Sequence, residues 1–399
     1  MRRSLPVLVI GRARKFLNGL LADADKRRQR VIPDLVEGVL KSGSLWVSRI
    51  SRALMRSGET LEGWEKRLTR HLASRAWRDG HLERRMLEAA SAYIPPNTPV
   101  AVDLSDIAKP RARRLEGLAL VRDGSQDKIV PGYWTFEAYA RVSRDRIVPL
   151  LNFVYSLEAP PARSEISVCE AAFRQLHEVL GSRAIYMLDR GFDGWNHLVY
   201  LERLACRFVL RLRGDRHVLD ETGVEIGAEE TIARRLPLPH IMPFGRRGRS
   251  ARVGYRRIRI PDLRKVYTLV VAWVSGRDTP LMLLTSEPVA SLFHAERIVG
   301  LYLKRWTAEE AIRLVKQGMG LETVRVYTLR AIERLVQIAY LAMLVLVVLQ
   351  DLPERTLDRL KRLYPFFRRP CDQEYERLLH GVQNLLRLQP PQVLWPGTG

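Results

Sequence analysis

Between residues 100 and 213 the apolar periodicity switches repeatedly, and this constrains the fold more than any other feature of the chain. "VAVDLSD" (100–106), "GYWTFEAYARV" (132–142) and "RIVPLLNFVYSL" (146–157) alternate with period two, as strands do. "SEISVCEAAFRQLHEVLG" (164–181) is helical, opened by Ser164 and closed on Gly181. A short apolar strand, "AIYMLD" (184–189), a helix over 194–204 and the strand "RFVLRLR" (207–213) follow. This order specifies an α/β arrangement, a mixed sheet covered by helices.

The flanks have a different texture. Residues 1–30 carry nine Lys/Arg and two Asp, and 12–30 reads as one helix. "IPDLVEGVLKSGSLWVSRISRAL" (32–54) and "TLEGWEKRLTRHLAS" (60–74) add short helices broken at Gly, Ser and Thr. We read 1–93 as a helical DNA-binding domain, the alternative being a helical cap, and the prolines of "YIPPNTP" (93–99) end it. A domain over 94–331 follows, with a β-rich insertion at about 215–290. Within it, 245–265 holds nine Arg/Lys and one Asp, and strand alternation predicts that these cations share a face. Residues 332–399 form a helical C-terminal region suited to dimerisation. Its run "IAYLAMLVLVVL" (338–349) is shorter than the roughly 20 residues of a bilayer span and reads as a core helix.

Lys and Arg number 66 against 44 Asp and Glu, a net charge of +22. A drift from Lys to Arg would not unbalance the acids, so the surplus points to a polyanion, nucleic acid first. Cys169, Cys206 and Cys371 stand far apart, which argues against a disulfide framework or zinc site. The N-terminus has only a short apolar run before Arg12, Arg14 and Lys15, unlike a signal peptide. These features predict a cytoplasmic, nucleoid-associated protein with no membrane partner.

The chemistry gathers in "YLKRWTAEEAIRLVKQ" (302–317). Wound as one helix at about 100° per residue, Tyr302, Arg305, Glu309 and Lys316 fall within an arc of roughly 60°, and Glu310 falls off it. A carboxylate among three groups able to hold phosphate oxygens suits metal-dependent phosphoryl transfer, with Glu309 binding the ion and its neighbours anchoring DNA. Further carboxylates should then sit at strand ends. Asp103 lies inside an apolar strand, where an unpaired carboxylate is costly, and Asp189 ends another. Asp106, on the opposite strand face from Asp103, and Asp193, placed as a helix cap, are the rivals.

The spacing Tyr302-x2-Arg305-x3-Glu309-x6-Lys316 resembles the Y-R-E-K signature of the insertion-sequence-four family of bacterial DDE transposases. "DLSDIAKP", "LDRGFD", "RFVLR" and "LLTSEPV" resemble further segments of that family. The resemblance implies a ribonuclease-H-like core interrupted by a β insertion, and cut-and-paste transposition of an insertion sequence. It implies Asp103, Asp189 and Glu309 as catalytic metal ligands for two Mg²⁺ ions, with Mn²⁺ as a substitute. Tyr302, Arg305 and Lys316, then Arg190 and Arg211, would contact DNA. The partners implied are terminal inverted repeats and target DNA, held by a homodimer. One departure bears on a hairpin intermediate: Leu281 and Met282 stand where some members carry a base-stacking Trp, and the nearest Trp, Trp273, reads as a core residue, with a substitute for the stack as the alternative. The competing readings are a metal-dependent endonuclease without strand transfer and a catalytically inactive DNA-binding regulator.

Overall fold

A computed structural model describes residues 4–75, 77, 80–123, 128–143, 145–159, 164–245, 248–364, 374–391 and 393–394. Five helices come first: α1 (Leu5–Leu20), α2 (Lys26–Ser42), α3 (Val47–Leu54), α4 (Leu61–Ala73) and α5 (His81–Ser91). The single helix expected over 12–30 is two helices. Asp25 caps α2 by accepting from the Arg28 amide, which forces a turn before it. Gly43 closes α2 at φ 61°, a left-handed geometry that costs glycine little.

The next segment supplies β1 (Thr98–Ala108), β2 (Ala119–Asp123), β3 (Lys128–Arg141), β4 (Ile147–Tyr155), α6 (Glu165–Leu180), β5 (Ala184–Leu188), α7 (Trp195–Arg203) and β6 (Phe208–Arg211). The strand–helix order read from the sequence holds, with β2 the one strand missed. Next come β7 (His217–Leu219), β8 (Glu225–Gly227), a π turn, β9 (His240–Phe244), β10 (Arg249–Arg259), β11 (Val266–Val274) and β12 (Leu281–Thr285). Helices α8 (Leu292–Leu303), α9 (Trp306–Arg313), α10 (Leu329–Leu349), α11 (Glu354–Lys361) and α12 (Glu374–Arg387) end the described chain. Cys371 lies outside the described residues; Cys169 and Cys206 are buried free thiols.

One mixed sheet of 12 strands runs through the molecule. Its main order is β4-β3-β1-β5-β6-β12-β11-β10, with β1, β5 and β6 parallel and the other pairs antiparallel. Because β12 pairs with β6 (Leu283↔Arg211), the inserted strands extend the same sheet. Ile185, Met187 and Val209 pack on one face with Ile298, Val299 and Tyr302 of α8. Leu188, Tyr186 and Phe208 face the other way, where Tyr186 meets Phe173 of α6 edge-on. Alternation thus sets what each β5 residue sees.

The arginines of β10 do not share a face. Ala251 and Val253 lean on the α8 side, whereas Ile258 belongs to the opposite core. Arg252 and Arg256 therefore project from one face, and Arg249, Arg257 and Arg259 from the other. The expectation fails because Arg252 and Arg256 fall on even positions and Arg249, Arg257 and Arg259 on odd ones, so alternation itself divides them between the faces.

Helix α10 is long and apolar enough to cross a bilayer, yet 94% of its most apolar window is buried inside the protein. It packs on β4 and on α1, α2 and α4, so the first five helices share one core with it. Arg334 of α10 is 2% exposed and donates to the carbonyls of Leu72, Ser74 and Trp77, fixing the end of α4 to the centre.

Candidate active site

The parallel pairing of β1 with β5 runs from Thr98↔Ala184 to Ala101↔Met187. Two residues further on, the same register sets Asp103 beside Asp189. One residue beyond Leu188↔Leu210, it sets Asp189 beside Arg211. Three adjacent strands thus present two carboxylates and a guanidinium in a row, on the face shared with Met187 and α8. Asp189 is pinned: its Oδ1 accepts from the Gly191 amide at 2.8 Å, closing a 3-10 turn over Arg190–Phe192. Arg190 stands exposed at the start of that turn. A Cβ on Gly191 would come within 3.0 Å of the same oxygen, so the turn favours glycine there.

The segment 302–317 is not one helix. The amides of Lys304 and Arg305 bond three residues back, to Leu301 and Tyr302, so α8 tightens and ends before α9 begins. After α9 a π turn covers Leu314–Gly318. Tight turns advance about 120° per residue rather than 100°, so a uniform wheel misplaces the far end. Tyr302, Arg305 and Glu309 still meet. Arg305 Nη2 lies 2.8 Å from Glu309 Oε1. Tyr302 is 7% exposed; burial raises its phenol, opposed by Arg305 and Arg211. Lys316 leaves the group and sits 3.6 Å from Asp106 and 3.8 Å from Glu322. Glu310 turns aside to Arg141 at 3.4 Å.

Asp103 is where these fields converge. Among the described residues it makes no hydrogen bond or ion pair. Burial and then Asp189 push its carboxyl up to about 7, with Glu137 and Glu309 adding and Arg305 opposing. Burial would lower the Arg305 guanidinium, but Tyr302, Asp103, Glu309 and Asp189 together raise it. The raised Asp103 has a consequence for stability. The folded chain keeps this proton to about pH 7, whereas the unfolded chain releases it near pH 4. The native state therefore binds more protons in that window and loses stability as pH rises through it. In a chelator, Asp103→Asn should equal the wild type below about pH 4 and exceed it by about 2 kcal/mol above pH 7, after discounting for partial solvent contact. Urea titrations across pH measure this.

One sequence reading is corrected, and one alternative is set aside. Asp193 is not a helix cap; Gly194 precedes α7 and gives no side-chain bond. Instead Asp193, 1% exposed, accepts from Arg216 Nε at 2.8 Å and from the Arg213 amide at 2.7 Å. It ties the end of β6 to β7. Asp193→Ala should therefore cost about 3 kcal/mol of stability by removing the buried acceptor of the half-buried Arg216 and of the Arg213 amide, measured by chemical denaturation. Trp273 is half-buried on the face away from Ala272 and α8, with its indole bonded to the Arg277 carbonyl. It points away from Tyr302 and cannot stand in for a stacking Trp at this site.

One residue was missed. Glu137 of β3 lies directly across from Asp103 and is 1% exposed. It accepts from Thr135 Oγ1 at 2.8 Å, from the Tyr139 hydroxyl at 2.6 Å and from Tyr340 of α10. The signal was there: a carboxylate in mid-strand, as at Asp103.

Among the described residues no three His, Cys, Asp or Glu side chains are drawn together closely enough to hold one ion. In kind, the donors fit a hard divalent cation: only carboxylates converge, without sulfur or imidazole. Asp103 lacks any competing bond, and Asp189 and Glu309 both act on it.

Residues 153–345 match the family model described as the transposase DDE domain. That stretch is similar to transposase DDE domains. It contains Asp189 and Glu309, while Asp103 precedes it on β1. Across 98% of this chain and 80% of the other, the structure is also similar to a piggyBac transposase synaptic complex with hairpin DNA. The two are 10% identical with a TM-score of 0.46, too loose a likeness to build on. The matched stretch runs from within β4 to within α10, so it includes most of the helix that seals the core.

Proposed function

We propose that this chain is an insertion-sequence transposase that cuts DNA at terminal inverted repeats and joins the freed 3′ ends to a target. The observation that carries this reading is the register of β1 and β5, which aligns Asp103 with Asp189 while Glu309 acts on the same carboxyl. The order β4-β3-β1-β5-β6, with parallel β1, β5 and β6, supports a ribonuclease-H-like core. The Y-R-E-K spacing and the strands between Asp189 and Glu309 support membership in the insertion-sequence-four group.

Asp103, Asp189 and Glu309 would hold a pair of Mg²⁺ or Mn²⁺ ions. Bound divalent ions make water a stronger acid and neutralise charge growing on a phosphate. In the first reaction a water oxygen bonds to phosphorus as the bond to the 3′ oxygen breaks, and that oxygen takes a proton. In the second, the 3′-OH gives up its proton and attacks a target phosphorus, expelling the target's own 3′ oxygen. Tyr302 and Arg305 would bind the phosphate beside the reacting one, and Arg211 and Arg190 would hold the strand at the sheet edge. Lys316 would join them only after leaving Asp106. The basic helices α1–α5 would read the repeat, and two copies would pair the ends. With Trp273 directed elsewhere, a hairpin intermediate is not part of this proposal. The setting would be cytoplasmic, on the nucleoid.

A pre-cut inverted-repeat oligonucleotide, a plasmid target and Mg²⁺ test the reading. Covalent joining of the oligonucleotide to plasmid is expected. Cutting without joining would instead favour an endonuclease, and neither activity would favour a regulator.

A further inference from the structure

A cleft of about 990 Å³ opens on the side of α9 that carries Glu309 and Glu310, and runs to the β9–β10 and β11–β12 turns. Four exposed cations line it: Arg249, Arg277, Lys304 and Arg313. They come from β10, the β11–β12 turn, the α8–α9 turn and α9, so four separate segments bring them together. Among the described residues none has an ion-pair partner. The two carboxylates in the cleft are already engaged, Glu309 with Arg305 and Glu310 with Arg141. Unpaired like charges held close repel one another, and a polyanion relieves that cost.

Resting on the transposase reading, we propose that this cleft seats the phosphodiester backbone of target DNA. One observation chooses the target over the transposon end. No lining residue comes from α1–α5, the helices assigned above to the end sequence. Glu309 lines the cleft, so a strand lying in it runs up to the carboxylate site. Cations that meet phosphate oxygens give affinity without sequence preference, as joining to many targets requires.

The test uses the full chain with Arg249→Glu and Arg277→Glu combined, both exposed, one at the start of β10 and one in the β11–β12 turn, beside the Arg249→Lys and Arg277→Lys pair. Three quantities are read: cutting of an uncut repeat, joining of a pre-cut repeat to plasmid, and the salt dependence of plasmid binding. The Glu pair should lower joining about tenfold or more and reduce the salt slope by about 2, one unit for each phosphate contact. Cutting and repeat binding should stay near wild type, and the Lys pair should behave as wild type. Normal joining by the Glu pair would overturn the proposal. So would a fall in cutting equal to the fall in joining, since the cleft would then hold the end or its flank. If the wild type neither cuts nor joins, the transposase reading fails; an unchanged plasmid salt slope still refutes the cleft, and a reduced one retains it as a DNA seat.

Discussion

Asp103→Asn should retain repeat binding and lose cutting and joining together, by about a thousandfold or more, equivalent to about 4 kcal/mol of transition-state stabilisation. The side chain keeps its size, so β1 should pair as before. What disappears is the one negative charge on which Asp189, Glu137 and Glu309 all act. Single-turnover cutting of a labelled repeat, alongside a gel shift, separates the two effects. The variant's expected gain in stability in chelator makes the result sharper. A protein that binds DNA, is more stable and does not cut has lost chemistry rather than fold. Cutting within tenfold of wild type would remove Asp103 from the site.

The second large effect is a contrast between neighbours. Glu309→Gln should lower cutting by about the same thousandfold, while Glu310→Gln should stay within about threefold and lose up to about 1 kcal/mol of stability. Glu310 is tied to Arg141, and its replacement loosens α9 from β3. Glu309 is exposed, meets Arg305 and reaches Asp103 through space. Paired kinetics and thermal denaturation of the two variants decide this. If Glu310→Gln were the inactive one, α9 would turn by about 100° in the active complex, and the resting arrangement would not be the reactive one.

The sequence exposed the parts of this site that local rules govern. Asp103 and Asp189 stood out as carboxylates in or ending apolar strands, and the strand–helix order needed only periodicity. Their adjacency was invisible, because register is a long-range property fixed by which strands pair. Lys316 was misplaced for a local reason that periodicity misses: two tight bonds and a π turn change the winding of 302–318. Asp193 followed the statistics of caps until Arg216, 23 residues later, claimed it. Glu137 obeyed the rule that revealed Asp103 but sat among aromatic residues that hid it. The β10 arginines were misread against alternation itself, since neighbours such as Arg256 and Arg257 cannot share a strand face.

The unbroken sheet has a mechanical consequence. From β1 to β10 the strands follow in the order β1, β5, β6, β12, β11, β10. Five spacings of about 4.8 Å place the Asp103 strand about 24 Å from the β10 strand. Asp103, Asp189 and Arg249 are therefore mounted on one stiff plate, and backbone hydrogen bonds oppose any hinge between them. Glu309 is the exception, carried by an eight-residue helix between a tight turn and a π turn. Of the three carboxylates it alone has play, so adjustment between an idle and a working geometry falls to α9, pivoting at Lys304 and Arg305.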